Sequence, residues 1–291
     1  MFERFTLDYV DVGDATLRVR HGGQGTPVVL LHGHPRTHTT WHRVAPLLAR
    51  SFFVVCPDLR GYGRSTLPPD LPEHAQSSKR AMADDVVALM RHLGHEQFAV
   101  VGHDRGSLVA FRAAMDYPQV VARLVVMDGL PVVEHLERLN EAFVRTWWHW
   151  WFFAQTEKPA ERVINLDPAA WYRTPRAAEM GQDNHADVWA AFRDPAVVHG
   201  MCEDYRAGLS IDRVHEEADR AAGRQVACPM LLLTATEDDI DIHGDPEEIW
   251  RPWTAGGLRR LPIHSGHHQA EQAPDELAQA LIEFLAASTR R

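Results

Sequence analysis

Five short apolar runs, each bounded by turn residues, constrain the fold of this chain most strongly. They are "PVVLLHG" at 27–33, "FFVVCPD" at 52–58, "FAVVGHD" at 98–104, "RLVVMDG" at 123–129 and "PMLLLTAT" at 229–236. Continuous apolar runs of this length are typical of strands buried on both faces of a parallel sheet. Helical patterns such as 81–94 alternate with them, and the alternating residues 6–20 indicate a hairpin. The sequence therefore predicts an α/β fold, with a mostly parallel central sheet flanked by helices.

Residues 132–225 interrupt this alternation after the sixth predicted strand. The segment contains many Trp, Phe, Arg and Glu residues, and its patterns, such as "EHLERLNEAFVRTWWHWWFFAQ", indicate helices alone. A helical insertion between two strands predicts a lid over the carboxyl edge of the sheet, where open α/β folds bind ligands. We therefore predict a core domain of residues 1–131 and 226–291 and a helical cap domain of residues 132–225.

Composition narrows the classes of function. The formal net charge is −10 with histidines neutral, whereas nucleic-acid binding needs clustered Lys and Arg. Cys56, Cys202 and Cys228 form neither a disulfide framework nor a metal-binding pattern, which fits a reducing compartment. The first residues lack the apolar region of a signal peptide, and no apolar run is long enough to span a membrane. We expect a cytoplasmic protein that binds a small molecule, with neither nucleic acid nor membrane as partner.

The segment Gly102-His103-Asp104-Arg105-Gly106 carries the first chemical signal. It has the form G-x-nucleophile-x-G, in which the nucleophile occupies a sharp turn between a strand and a helix. An apolar strand precedes it and a helical pattern follows it, as that motif requires. The nucleophile position holds Asp104 rather than serine. The alternative is that Asp104 only caps the helix, which is a favoured role for aspartate.

Other segments supply partners for such a nucleophile. The loop after the first buried strand would give the His34 backbone N–H to an oxyanion hole, and Arg105 would give the second N–H. His267 lies in "SGHHQAEQAP" just before the final helix, late in the chain as the order of a triad requires. The acid has two candidates at predicted strand ends, which are Asp128 and the group at 237–239.

With these segments the chain resembles the α/β-hydrolases that use an aspartate nucleophile. This branch includes haloalkane dehalogenases, epoxide hydrolases and haloacetate (fluoroacetate) dehalogenases, and the chain most resembles the last. The resemblance rests on "LLHGHPRTHTTWHRVAPLLA", "PDLRGYGRS", "GHDRG", "MDGLP", "HWWFF", "MCEDYRA" and "SGHHQAEQAP". Arg105 follows the nucleophile as in haloacetate dehalogenases, whereas the other two groups usually have Trp there. That family takes its acid 24 positions after the nucleophile, so the resemblance favours Asp128.

The resemblance implies an α/β-hydrolase fold and hydrolytic dehalogenation of small haloacids. Asp104 would displace halide by SN2 attack and form an ester, because a carboxylate leaves a bond that water can cleave. His267 would activate that water, and Asp128 would orient His267. The family uses no metal or cofactor, and the spacing of the histidines fits no zinc pattern, so we expect neither. By resemblance alone we expect a homodimer.

Three residues of the predicted cap would hold the halide. His149 and Trp150 match the His-Trp pair of the family, and Tyr205 is the third candidate donor. The alternative for this stretch is an ordinary aromatic core, since aromatic stripes on helices usually pack inside.

One position departs from the family pattern. Fluoroacetate dehalogenases generally bind the substrate carboxylate with two arginines, at the first and fourth positions after the nucleophile. Arg105 fills the first, but Leu108 occupies the fourth. Either Arg36 or Arg112 compensates, or the substrate is larger or less charged.

Two further functions stay open from the sequence. An epoxide hydrolase would use tyrosines of the cap as proton donors, and Tyr172 and Tyr205 are available. A receptor of the same fold without catalytic activity is the other alternative. The complete set of Asp104, Asp128 and His267 argues against it.

Overall fold

A computed structural model describes residues 1–172 and 177–287 of the chain. Its eight strands form one sheet in the order β1-β2-β4-β3-β5-β6-β7-β8. The strands are β1 (Thr6–Asp11), β2 (Thr16–Gly23), β3 (Thr26–Leu31), β4 (Phe52–Pro57), β5 (Phe98–His103), β6 (Val121–Met127), β7 (Met230–Ala235) and β8 (Leu258–Ile263). β2 is antiparallel to β1 and β4, and the pairs from β4 to β8 are parallel. This confirms the predicted α/β architecture.

The central strands form where the apolar runs lie. All six residues of β5 and all six of β7 are buried, because helices cover both faces of a parallel sheet. The sequence patterns did not indicate β8, whose segment "LRRLPI" contains two arginines and lies at the edge of the sheet. An edge strand exposes part of its surface, so its sequence need not form an apolar run.

The helices surround this sheet and fill the long segment between β6 and β7. Their bounds are α1 (Ala45–Leu48), α2 (Lys79–His92), α3 (Arg105–Asp116), α4 (Val132–Glu137), α5 (Glu141–Thr146), α6 (His149–Phe153), α7 (Pro159–Leu166), α8 (Pro168–Tyr172), α9 (Ala177–Met180), α10 (Gln182–Phe192), α11 (Pro195–Ala207), α12 (Arg213–Ala221), α13 (Pro246–Trp250), α14 (Gln269–Gln272) and α15 (Pro274–Ala286). Thus α4 to α12 follow the sixth strand, in the segment predicted as the cap. In the part of the chain that the structure describes, no helix is long and apolar enough to cross a membrane.

The predicted helical stretch 134–155 is divided into three short helices. Asn140 interrupts it, because its side chain accepts a hydrogen bond from the Phe143 N–H and caps α5. α6 is therefore a separate short helix, and its residues His149 and Trp150 line the same cavity as Asp104 at the edge of the sheet.

Candidate active site

Asp104 occupies a strained turn between β5 and α3. Its backbone has φ 51° and ψ −118°, a conformation that L-residues rarely adopt. A Cβ on Gly102 would lie 2.1 Å from the Gly106 carbonyl oxygen, and a Cβ on Gly33 would lie 2.4 Å from the Asp104 Cβ. Only glycine fits at these positions, which explains Gly102 of the motif and Gly33 in the facing loop. The turn directs the Asp104 side chain toward the carboxyl edge of the sheet.

Two backbone N–H groups face the Asp104 carboxylate. The His34 N–H donates to Oδ1 at 2.6 Å, and the Arg105 N–H also hydrogen-bonds the carboxylate. Burial raises the pKa of Asp104, while these bonds and the charge of His267 oppose the rise. Both N–H groups predicted for the oxyanion hole therefore hydrogen-bond the Asp104 carboxylate.

His267 lies between Asp104 and a second carboxylate. Its Nε2 is 3.8 Å from Asp104 Oδ2, and its Nδ1 is 2.7 Å from Asp238 Oδ2. Burial alone would lower the pKa of His267, but the hydrogen bond and charge of Asp238, with the charges of Asp104 and Asp128, raise it to about 9. The residues at the ends of β5, β7 and β8 thus meet at one edge of the sheet.

The expectation that Asp128 orients His267 needs correction. Asp128 Oδ1 accepts from the Ala235 N–H at 2.9 Å, and Oδ2 accepts from Gln269 Nε2 at 2.7 Å. Asp128 is still a neighbour, since its carboxylate oxygen lies within 4.8 Å of ligand atoms of both His267 and Asp238. Asp238 belongs to the candidate group that the sequence left as the alternative. Spacing along the chain could not decide between two carboxyl groups at adjacent strand ends.

The environment of Asp128 favours its neutral form. Burial raises the pKa of Asp128 to about 7 against the charge of His267, and the nearby Asp238 adds to the rise. Burial would raise the pKa of Asp238, but the hydrogen bond to His267 and the charge of His267, with smaller contributions from its neighbours, lower it. Asp238 is therefore the better partner for an imidazolium at neutral pH.

A cavity of about 310 Å³ opens above Asp104. Residues of the core and of the segment between β6 and β7 line it: His34, Pro35, Asp104, Thr146, Trp147, His149, Trp150, Tyr205, Asp238, Asp239, His267 and His268. All three residues predicted to hold a halide are in this set.

The three predicted halide-binding residues supply polar hydrogens in an aromatic wall. The Tyr205 hydroxyl lies 3.5 Å from His149 Nε2, and the two rings meet edge to face. Burial and the charge of Arg105 lower the pKa of His149 to about 4, so its imidazole is neutral at neutral pH. Burial raises the pKa of Tyr205, which therefore keeps its hydroxyl proton. The wall can donate hydrogen bonds to an anion.

The Arg105 guanidinium is already paired. Its Nε and Nη2 donate to the Asp204 carboxylate at 3.1 and 3.0 Å, and its Cζ lies 4.3 Å from the Tyr205 ring centroid. Its Nη1 is buried and has no hydrogen-bond partner. Arg105 and Leu108 also line a second, inner cavity of about 20 Å³ beside Asp104. The side chain predicted to bind a substrate carboxylate thus offers one free nitrogen.

Arg36 and Arg112, the two candidates to replace the missing second carboxylate-binding arginine, are both engaged in ion pairs. Arg36 pairs with Glu271 through two hydrogen bonds at 2.9 and 3.1 Å. Arg112 contacts Asp116 and Asp219 at 3.1 and 2.7 Å. Neither residue lines either cavity at Asp104.

Sequence reasoning missed the groups that hold the predicted residues in place. Asp204 forms ion pairs with both Arg105 and Lys79. It directly precedes Tyr205, a predicted halide donor, and this position in the chain was the signal that could have indicated it. The Trp147 indole N–H donates to Asp239 at 3.0 Å and joins α5 to the loop that carries Asp238.

Three clusters of metal-type side chains occur in residues 1–172 and 177–287. They are His103 with His267 and His268, Asp128 with Asp238 and His267, and Asp70 with His199 and Glu203. In the first two, the Nδ1 of His267 is already bonded to Asp238. These sets could hold a cation only at the expense of that pair.

Comparison with known proteins agrees with this geometry. The alpha/beta hydrolase fold family matches residues 26–274. A protein from Nostoc sp PCC 7120 that is assigned to the alpha/beta hydrolases superposes with a TM-score of 0.95 at 37% identity, covering 99% of this chain and 100% of the other. The chain therefore belongs to the α/β-hydrolase fold family.

Two curated relatives refine the comparison. A fluoroacetate dehalogenase from Burkholderia sp is 40% identical over 98% of this chain and 95% of its own length. A soluble epoxide hydrolase from Corynebacterium sp. (strain C12) is 45% identical over 91% of each chain. The resemblance to haloacetate dehalogenases inferred from the sequence is confirmed.

Proposed function

We propose that the protein is a hydrolytic dehalogenase that cleaves the carbon–halogen bond of small α-halo acids or their derivatives. The observation that carries this proposal is an aspartate at the strained turn, with two backbone N–H donors and with His267 Nε2 3.8 Å from its Oδ2. A carboxylate at this position suits displacement at saturated carbon, because the resulting ester can be hydrolysed. The similarity to a fluoroacetate dehalogenase supports the same chemistry.

In the first step, Asp104 Oδ2 attacks the halogen-bearing carbon. A carbon–oxygen bond forms as the halide leaves with the bonding electron pair. His149, Trp150 and Tyr205 line the cavity and can donate to the departing halide. Neutral donors suit this role, since they bind the developing anion without forming an ion pair that slows its release.

In the second step, His267 takes a proton from the water that attacks the Asp104 carbonyl carbon. Ester formation removes the negative charge of Asp104, which helps to hold a proton on His267 in the free enzyme. The pKa of His267 therefore falls when the ester forms, and His267 becomes a base at this stage. The His34 and Arg105 N–H groups would stabilise the oxyanion, and Asp238 would hold the imidazolium.

A single turnover in oxygen-18 water tests this route. Excess enzyme is mixed with chloroacetate or fluoroacetate, and peptide mass spectrometry then measures label in Asp104. Label in the Asp104 carboxylate, with one halide released per turnover, is the expected result. Asp104→Asn should release no halide, provided that mass spectrometry excludes deamidation. Full turnover by an Asp104→Asn variant whose amide is verified in this way would rule out the proposal.

The second candidate is an epoxide hydrolase with the same nucleophile. Tyr205 favours it, because its protonated hydroxyl lies in the cavity and could donate to an epoxide oxygen. The predicted partner Tyr172 lies close, with its ring centroid 5.8 Å from that of His34, but its hydroxyl is directed to Met201 Sδ at 3.8 Å. Only Tyr205 of the pair lines the cavity, so we rank this function second. Diol formation from styrene oxide without halide release from haloacetates would reverse the order.

A further inference from the structure

Carboxyl groups dominate the charge of the larger cavity. Asp104, Asp238 and Asp239 all line it, and the protonated His267 is the cation among them. Burial raises the pKa of Asp239 and of Asp104, and the neighbouring Asp238 adds to the rise at Asp239. Attack on carbon requires Asp104 to be ionised, and the pKa of Asp238 is lowered, so in the reactive form two carboxylates face one imidazolium and the wall is net negative before a substrate enters. A substrate carboxylate would be repelled by this wall.

The other imidazoles of the cavity do not offset this charge. Burial lowers the pKa of His34, His149 and His268, so each ring is neutral at neutral pH. These rings can donate or accept hydrogen bonds, but they contribute no positive charge. In the part of the chain that the structure describes, no lysine or arginine lines the larger cavity.

Arg105 lines the inner cavity, but its positive charge is neutralised by neighbouring carboxylates. It bonds Asp204 through Nε and Nη2, and Lys79 bonds the same carboxylate. Lys79 also lies 3.4 Å from Asp212, so two cations face two carboxylates. Although burial opposes it, the charges of Arg105 and Lys79 hold the pKa of Asp204 well below its usual value. The cluster therefore presents little net positive charge to a ligand.

Arg105 still has an unused donor. Arg105 is only 1% exposed, and within residues 1–172 and 177–287 its Nη1 has no hydrogen-bond partner. Arg20, Arg112 and Arg206 also have a buried nitrogen without a partner among the described residues, but of these four arginines Arg105 is the one that lines the cavity beside Asp104, where a ligand acceptor could meet it. The inner cavity of about 20 Å³, walled in part by Leu108 and Leu130, has room for one group of about the size of a water. A carbonyl oxygen fits both the donor and the space.

We propose that the preferred substrates are uncharged α-halo carbonyl compounds, specifically 2-haloacetamides, and not haloacetate anions. The carbonyl oxygen binds Arg105 Nη1, and the halogen faces His149, Trp150 and Tyr205. Asp128 also lines the inner cavity, where its carboxyl oxygens can accept a hydrogen bond from an amide N–H. This inference rests on the proposed dehalogenase function and specifies its substrate class.

The reaction with chloroacetamide balances without a further reactant. Asp104 Oδ2 forms a bond to the methylene carbon, and chloride leaves with the electron pair of the carbon–chlorine bond. Water then adds to the Asp104 carbonyl carbon, and His267 takes its proton. The ester breaks to give 2-hydroxyacetamide, chloride and one proton.

The test compares kcat/KM for chloride release from chloroacetamide and from chloroacetate. Each value is divided by the second-order rate constant of the same compound with acetate ion, which removes the difference in intrinsic reactivity. Asp104→Ala corrects for alkylation of cysteine thiols. We expect the normalised value for the amide to exceed that for the acid by about tenfold or more, the effect of one lost charge-assisted interaction.

Leu108 provides the matched pair of variants. Leu108→Arg places a second guanidinium at the inner cavity and should reverse the preference toward chloroacetate. Leu108→Met adds no charge and should keep the preference for the amide. Circular dichroism and thermal melting verify that each variant is folded, and the wild-type ratio decides the question if Leu108→Arg does not fold.

The outcomes separate this inference from the function on which it rests. Equal or better use of chloroacetate by the wild type, with label entering Asp104, overturns the substrate class but leaves the dehalogenase intact. No chloride and no Asp104 ester from either compound overturns the dehalogenase function, and the substrate class falls with it.

Discussion

Two carboxyl groups beside His267 have different environments, and this decides their roles. Asp238 bonds Nδ1 at 2.7 Å and has a lowered pKa, whereas Asp128 bonds Ala235 and Gln269 and has a pKa of about 7. A carboxyl group that is half protonated at neutral pH is a weak counter-ion for an imidazolium. We therefore expect Asp238 to orient His267 and Asp128 to be mainly a structural neighbour.

Asp238→Asn should slow hydrolysis of the Asp104 ester on the order of 10²–10⁴-fold, because the imidazole loses its anionic partner. Asp128→Asn is the matched control, with an expected effect below about tenfold. An Asn oxygen can still accept from Ala235, and the Gln269 amide can turn to offer Oε1, which has no partner. Rapid-quench mass spectrometry of the ester measures both rates. A larger loss in Asp128→Asn would assign the role to Asp128.

The protonation of His267 gives a pH dependence with a defined sign. The pKa of about 9 in the free enzyme depends partly on the charge of Asp104, which the ester lacks. The rate constant of ester hydrolysis should therefore rise with pH and reach its plateau below about pH 9, since only the neutral imidazole accepts a proton. Rapid-quench sampling of the ester over about pH 5.5–10 measures it. A rate that falls or stays constant as pH rises through this range contradicts the role of His267.

At the scale of elements, the turn from β5 into α3 depends on close contact with β3. A Cβ on Gly106 would lie 2.4 Å from the His32 carbonyl oxygen and 2.6 Å from that of Leu31. Both are backbone atoms of a buried strand end, so they cannot move aside as a flexible side chain does. This contact fixes α3, and with it the Arg105 N–H, against Asp104.

Gly106→Ala should lower the free energy of unfolding by about 1–3 kcal/mol through overpacking, although alanine favours a helix by about 1 kcal/mol. Gly266→Ala is the control, because its added Cβ would meet only the flexible end of the Gln272 side chain at 3.1 Å. Urea denaturation measures both proteins. Equal, small changes would show that the contact at Gly106 does not constrain the turn.

The same scale explains how the helices of the inserted segment are divided. The pattern of 134–155 indicated helical structure, and the structure forms α4, α5 and α6 there. Local periodicity does not register a change of direction that tertiary contacts stabilise, such as the bond between Trp147 and Asp239. His149 and Trp150 reach the cavity because of this division.

At the scale of the whole molecule, buried ion pairs join the sheet to the helices inserted between β6 and β7. Arg18 on β2 bonds both carboxylate oxygens of Asp187 on α10 at 2.8 and 2.7 Å, and it bonds Asp58 at 2.7 Å. The Thr37 hydroxyl donates to Asp187 as well, at 2.7 Å. These bonds join α10 of the inserted segment to β2 and to the loop after β3.

Asp187→Ala should lower the free energy of unfolding by about 2 kcal/mol, because hydrogen bonds between charged groups are lost and Arg18 keeps only Asp58. Asp183→Ala on the same helix is the control, since that side chain is 72% exposed and its ion pair is 3.8 Å long. Thermal unfolding measures stability, and hydrogen exchange reports opening of α10. Matching values for the two variants would show that the Arg18 contact contributes little.

The sequence by itself determined the α/β fold, the helical insertion and the positions of Asp104, His267, His34 and Arg105. These depend on local patterns, because buried strands need continuous apolar runs and a sharp turn needs glycine. Carboxyl ends of parallel strands also meet at one edge, so motifs at strand ends are brought together.

Only the tertiary structure decided which groups pair. Asp238 bonds His267 in place of Asp128, Asp204 pairs with the Arg105 guanidinium, and Leu108 and Arg105 line the same small cavity. Competing carboxyl groups lie within a few ångströms of each other, and their pairing depends on side-chain direction and burial. Chain spacing contains neither quantity, so the site could be located from the sequence while its charge balance could not.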